Sequence, residues 1–391
     1  MNSLKITNGR IITPSGIVNG SLNIEGGRIK SINEPFEAQT EINARNHYVS
    51  PGFVDIHTHG GGGSDFMDGT VQAFLTAGEM HSKHGTTTLL PTLLSAGFDE
   101  TVNAINAFEM AKGVRYKGAN LQGLHIEGPY FAPEQCGAQD TRYIKPPDKN
   151  EYKKILSLSK NILRWSAAPE LPGIPEFAKI LREAGILPSI AHSNADYEQV
   201  LEAFDEGFTH ITHLYSAMST VHRRNTMRYA GIVESAYLID DMTVEIIADG
   251  VHLPQSLLEF VTKFKKRDKI ALVTDSMRAA GMGDGESILG SLKNGQRVIV
   301  EEGVAKLPDR SAFAGSVATM DRLIRNIINL TNTSISEAVE MASTVPCNIT
   351  GLKTKGKIEC GLDADIVIFD DDINVKCTVI NGETVFREGD I

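Results

Sequence analysis

Two histidines one residue apart, His57 and His59, end a short apolar run, FVDIHTH (53–59). Side chains alternate along a strand, so residues i and i+2 share a face. Both imidazoles can then point the same way and hold one ion. Three further donors end apolar runs of the same kind, Glu127 in NLQGLHIE, His192 in LPSIAH and Asp275 in KIALVTD, and a fourth, His213 in HITHLYS, lies near the end of its run. A carboxylate that closes an apolar strand is costly to bury unless it is paired or metal-bound. An isolated His-x-His is most often a pair of half-buried histidines, but the four extra donors argue against that here. Imidazole and carboxylate together suit zinc, with iron as the second choice. The chemistry that such an ion supports at neutral pH is hydrolysis. His252, in ADGVHLP, follows another strand and is placed to donate to a substrate carbonyl. His125 sits deeper on the strand of Glu127 as a supporting histidine. His210 falls on the face opposite His213 and is expected to pack outward.

These donors need elements that bring them together. Eight strand candidates occur in order, at 53–59, 86–93, 120–127, 162–169, 187–192, 210–216, 244–249 and 269–275. Helical patterns at 70–83, 98–112, 174–184, 195–206 and 254–266 separate many of them, and another follows at 317–330. Eight successive βα units imply a closed parallel (β/α)₈ barrel spanning 51–354. An open doubly wound sheet would carry a GxGxxG loop after its first strand; HGGGGSD does not fit. In a barrel, chemistry sits at the C-terminal strand ends, which is where the donors fall. Ser193 or Asn194 is expected to cap the helix that follows His192.

Both chain ends read differently. Residues 1–50 and 355–391 alternate apolar and polar positions, with Asn8-Gly9, Gly26-Gly27 and Asn381-Gly382 as turn signals. They are expected to pair into one small β-sandwich domain. A β insertion with Asn294-Gly295 and Glu302-Gly303 turns is expected near 285–312.

The 391 residues carry a net charge of −11 and a sequence pI near 5.5. That balance excludes binding nucleic acid or anionic membranes through the overall field. Cys136, Cys347, Cys360 and Cys377 lack CxxC spacing, which points to free thiols in a reducing compartment. No signal core or 20-residue apolar span is visible, so a cytoplasmic location is expected.

PGFVDIHTHG and GKIECGLDADIVIFD resemble the amidohydrolase superfamily. GLHIEGPYF, AHSNA, THLYSAM, ADGVHLP, VTDSM and FAGSVATM resemble, as an ordered set, the signature segments of N-acetylglucosamine-6-phosphate deacetylases. The resemblance implies one or two divalent ions per subunit. Glu127, His192 and His213 would hold the first. His57, His59 and Asp275 would hold a second, shared through Glu127. Asp275 would be the general acid/base, and His252 would polarise the acetamido carbonyl. Gln139, Ser216 and Ala217 would contact an amino-sugar phosphate, with Arg224 reaching across a homodimer interface to the phosphate. Three departures from the family pattern are present: Ser216 replaces Asn, Gln139 replaces His, and about three residues are inserted after Arg224. They leave open a different substrate such as N-acetylgalactosamine 6-phosphate. Two further alternatives are a cyclic-amide hydrolase, disfavoured by Glu127 where a carboxylated lysine would stand, and a non-catalytic binding module.

Overall fold

The computed structural model describes residues 2–389. Eight parallel strands pair in sequence order: Phe53–Thr58, Thr86–Leu93, Leu124–Glu127, Ile162–Ala167, Leu187–Ile190, His210–Ile211, Thr243–Ile246 and Ile270–Leu272. The last and first meet through backbone bonds just beyond the strand ends. Asp275 N–H donates to His57 O at 2.9 Å, and His59 N–H to Ser276 O at 2.8 Å. The result is the nearly closed barrel that eight βα units imply. Every residue of Thr86–Leu93 is buried, as expected where helices cover one face and the barrel interior the other.

The outer face of the barrel packs on amphipathic helices. Trp165 is fully buried, stacks on Tyr130 at 5.9 Å and meets Phe177 edge-on at 5.3 Å. Its indole N–H, which needs a partner when buried, donates to Gly128 O at 2.8 Å. The helix after His192 is Tyr197–Asp205, and its cap is Asp196, whose carboxylate accepts from Gln199 N–H at 3.3 Å. Ser193 and Asn194 therefore do not cap it. Ser193 Oγ instead donates to Glu170 Oε2 at 2.6 Å, which ties down the turn that carries His192.

The chain ends form one eight-stranded sheet. Ser3–Thr13, Gly16–Glu25, Arg28–Ile32, Thr40–Asn43 and Tyr48–Pro51 join Ile366–Phe369, Val375–Ile380 and Glu383–Arg387. The seam is antiparallel, with Ile366 opposite Pro51. The sheet encloses its own core of residues such as Ile6, Leu22, Val49, Ile366 and Val379. Asn381 and Gly382 have φ of 49° and 76° between paired Ile380 and Glu383, the backbone of a type I′ turn. Asn8-Gly9 is not a turn. Ser3–Thr13 is continuous, Asn8 has φ 53°, and the register shifts between Ile6 and Gly9, so the pair makes a bulge. A Cβ on Gly9 would come within 2.5 Å of Val49 Cγ2.

The insertion after the eighth strand is a four-stranded antiparallel sheet, Gly285–Leu289, Gln296–Glu301, Val304–Lys306 and Phe313–Ser316. Its last strand runs beyond the expected 312 and leans over the barrel mouth. Among the described residues, no helix is long and apolar enough to cross a membrane.

Candidate metal centre

Six buried donors converge at the C-terminal mouth of the barrel. His57, His59 and Asp275 form one group, and Glu127, His192 and His213 another, with ligand atoms in each group within 4.8 Å of one another. Glu127 joins the two. Its Oε1 lies 3.1 Å from His213 Nε2, 3.4 Å from His57 Nε2 and 3.5 Å from His192 Nε2. Its Oε2 lies 3.4 Å from His59 Nε2. Asp275 Oδ1 is 3.1 Å from His59 Nε2 and 3.4 Å from His57 Nε2.

The local backbone explains how residues past short strands reach inward. His192, His213 and Asp275 all adopt positive φ, at 47°, 28° and 46°. Few non-glycine residues adopt the left-handed region, His and Asp more readily than most, and those that do concentrate at functional sites. It also breaks simple alternation. The sixth strand ends at Ile211, and the turn at His213 re-aims its ring into the mouth. His210 therefore does not pack outward. It is fully buried, with Nε2 3.3 Å from Glu245 Oε1.

Beneath the donors lies a buried ion pair whose members sit within strands and not at their ends. Glu245 on the seventh strand pairs with Arg164 on the fourth, and neither is exposed. Arg164 also donates to Ser189 Oγ at 2.9 Å and Thr212 Oγ1 at 2.6 Å. Glu245 Oε2 is 3.0 Å from His57 Nδ1 and accepts from His213 N–H at 3.2 Å. His125 fills the floor beside them, 2.7 Å from Ser166 Oγ through Nε2.

Burial opposes charge throughout this cluster, yet its carboxyls stay acidic. Glu127 is held well below its ordinary value by the His57 charge and by bonds from His192 and His213. Glu245 is held well below by Arg164 and His57, and Asp275 is lowered by His57 and His59. Despite burial, Asp275, Glu127 and Glu245 raise His57 well above its usual range, and Asp275 and Glu127 raise His59. His57 Nε2 is buried, makes no hydrogen bond and faces two carboxylates. The donor set fits a divalent metal ion.

The donors open into a cavity of about 570 Å³, also lined by Gln139, Ser216, Ala217, His252 and Phe313. His252 Nδ1 is 2.7 Å from Asp249 Oδ2, which leaves Nε2 for a ligand. Asp249 was not identified from the sequence; its Oδ1 accepts the Val251 and His252 amides at 2.9 and 2.8 Å. Gln139 is buried, with Nε2 donating to Glu127 Oε2 at 2.7 Å and Oε1 accepting from Ser95 N–H at 3.0 Å. The Ser216 amide donates to His213 O at 2.9 Å, which takes it away from the cavity. Arg224 is not brought to this cavity. It lies on a hairpin, His222–Arg224 with Met227–Tyr229, bonds Asp196 Oδ2 at 3.1 Å and remains 56% exposed. The residues after it form a tight turn with Asn225 and Thr226 at φ 48° and 70°.

Residues 48–385 match the amidohydrolase family. An N-acetylglucosamine-6-phosphate deacetylase of Lysinibacillus sphaericus is 35% identical, over 92% of this chain and 91% of its own length. One from Bacillus subtilis is 32% identical, over 98% and 97%. Among solved structures, the N-acetylglucosamine-6-phosphate deacetylase of Thermotoga maritima superposes with a TM-score of 0.87 at 32% identity, over 98% of this chain and 100% of that one. A mutant of the Mycobacterium smegmatis enzyme, in complex with N-acetyl-D-glucosamine-6-phosphate, superposes with a TM-score of 0.90 at 29% identity, over 98% and 100%. The family match over residues 48–385, the shared fold and nearly full-length similarity lead to one conclusion: the chain belongs to the amidohydrolase family, with relatives among the N-acetylglucosamine-6-phosphate deacetylases.

Proposed function

We propose that the chain hydrolyses the acetamido group of N-acetylglucosamine 6-phosphate, giving glucosamine 6-phosphate and acetate. The observation that carries this reading is the reach of Glu127 to His57, His59, His192 and His213 within 3.5 Å at the floor of a substrate-sized cavity. Glu127, His192 and His213 would hold a divalent ion, zinc first and iron second, with His57, His59 and Asp275 as the ligands of another. When bound, such an ion supplies Lewis acidity and lowers the pKa of water towards ~7.

The chain's own residues do the rest. Asp275 takes a proton from the attacking water at Oδ1 or Oδ2 and returns it to the leaving nitrogen, because an amine anion cannot leave unaided. In its imidazolium form His252 gives Nδ1–H to Asp249, which holds the ring in place, and donates from Nε2 to the amide oxygen as charge develops there. Ala217 and the Ser216 hydroxyl contact the sugar phosphate. Arg224 clamps the phosphate of the neighbouring subunit's substrate in a homodimer; its exposed position, away from its own cavity, supports that reading. The protein acts in the cytoplasm. The test is acetate release from a panel of N-acetylated hexosamines with and without the 6-phosphate. Release confined to N-acetylglucosamine 6-phosphate is expected, and no release from it overturns the reading.

A further inference from the structure

Gln139 stands where the resemblance expects a substrate-binding histidine, yet both ends of its side-chain amide are engaged by protein groups. Nε2 donates to Glu127 Oε2 at 2.7 Å and Oε1 accepts from Ser95 N–H at 3.0 Å. Its side chain is buried, so the arrangement is held from both sides. The two oxygens of Glu127 are consequently not equivalent. Oε1 faces His57, His192 and His213 and receives no amide hydrogen bond. Oε2 faces His59 at 3.4 Å and already accepts from Gln139. A carboxylate oxygen has two lone-pair sites. A donor on one of them draws charge from that oxygen and narrows the directions from which a cation can share it.

We propose that Gln139 makes the two halves of the metal centre unequal: by bonding Glu127 Oε2 it favours the Glu127–His192–His213 half for a first divalent cation and weakens the His57–His59–Asp275 half for a second. This rests on the ligand assignment given under Proposed function. Gln139 is a positioning residue in this account: it acts on the ions through Glu127. Groups that bond metal ligands commonly change metal affinity by about 10–100-fold, which sets the scale of the expected inequality.

The test is Zn²⁺ binding to the metal-stripped full chain, read by competition with a chromogenic chelator. The wild type should bind one ion tightly and a second at least about 10-fold more weakly. Gln139→Met removes the donor at similar size and should close most of that gap by tightening the second ion. Gln139→Leu removes the same donor with a differently shaped side chain, and thermal unfolding of both stripped variants checks that each is folded; it should tighten the second ion to a similar extent. Two equal ions in the wild type, or a gap that persists in both variants or closes only by loss of the first ion, overturns the role of Gln139 while leaving the ligand assignment standing. Absence of any tight ion in the wild type overturns the ligand assignment itself, and this inference with it.

Discussion

Glu245 Oε2 sits 3.0 Å from His57 Nδ1, so a carboxylate on the seventh strand orients a metal-site imidazole on the first. The same carboxylate group neutralises Arg164 in a fully buried pair. Removing one member of such a pair strands the other charge, which costs about 3–5 kcal/mol, and loss of the partner of a ligand histidine lowers metal affinity about 10–100-fold. Glu245→Ala should therefore show both losses, read by urea unfolding and by chelator competition. Loss of stability with unchanged zinc affinity would remove the link to His57.

Asp275 is the residue on which proton transfer depends. Asp275→Asn should retain at least one zinc per chain, because Glu127, His192 and His213 are intact, while kcat falls about 10²–10⁴-fold. Metal analysis beside acetate release checks this. Wild-type turnover in the variant would mean that another group carries the proton.

Arg224 lies outside its own cavity and is held by Asp196 and the Tyr229 ring, 4.2 Å away. Hydrogen bonds to charged groups are worth about 1.5–3 kcal/mol, so Arg224→Ala should raise KM about 10-fold or more for phosphorylated substrates only. Sedimentation should show a dimer. Equal effects on phosphorylated and unphosphorylated sugars would exclude a phosphate clamp.

His81 offers a pH test away from the substrate. Burial lowers its pKa to about 4, its Nε2 lies 3.0 Å from Gly60 O, and its buried Nδ1 makes no hydrogen bond. The folded state resists protonation that the unfolded chain accepts near 6.5, so stability is lost as pH falls from 6.5 towards 4. The linkage amounts to about 2 kcal/mol by pH 5. His81→Gln lacks the titrating group. The stability difference between wild type and His81→Gln should shift against the wild type by that amount between pH 7 and pH 5, at equal metal loading. A difference independent of pH would show that His81 titrates normally.

Much of the site could be read because a barrel places function at strand ends, and His57, His59, Glu127, His192, His213 and Asp275 all lie at or near the ends of apolar runs. The floor was missed for the complementary reason. Arg164 in ILRWSA and Glu245 in TVEI lie within strands, where the search for terminal residues does not look. A signal was present: opposite charges inside two apolar strands are costly unless they meet. His210 was misplaced because alternation holds only along extended backbone, and the sixth strand stops before His213 turns to φ 28°. Asn8-Gly9 reads as a hairpin turn locally, but the pairing of Ser3–Thr13 along Gly16–Glu25 absorbs it as a bulge. Gln139 belongs to a loop with no periodicity, so its turn towards Glu127 is visible only in three dimensions.

The most direct measurement is acetate release from N-acetylglucosamine 6-phosphate as zinc is returned stepwise to metal-stripped protein. The rate should be near zero without metal and rise in proportion to zinc bound, up to the first ion per chain. A rate that is the same in stripped and replete protein would contradict a metal centre built on Glu127, His192 and His213.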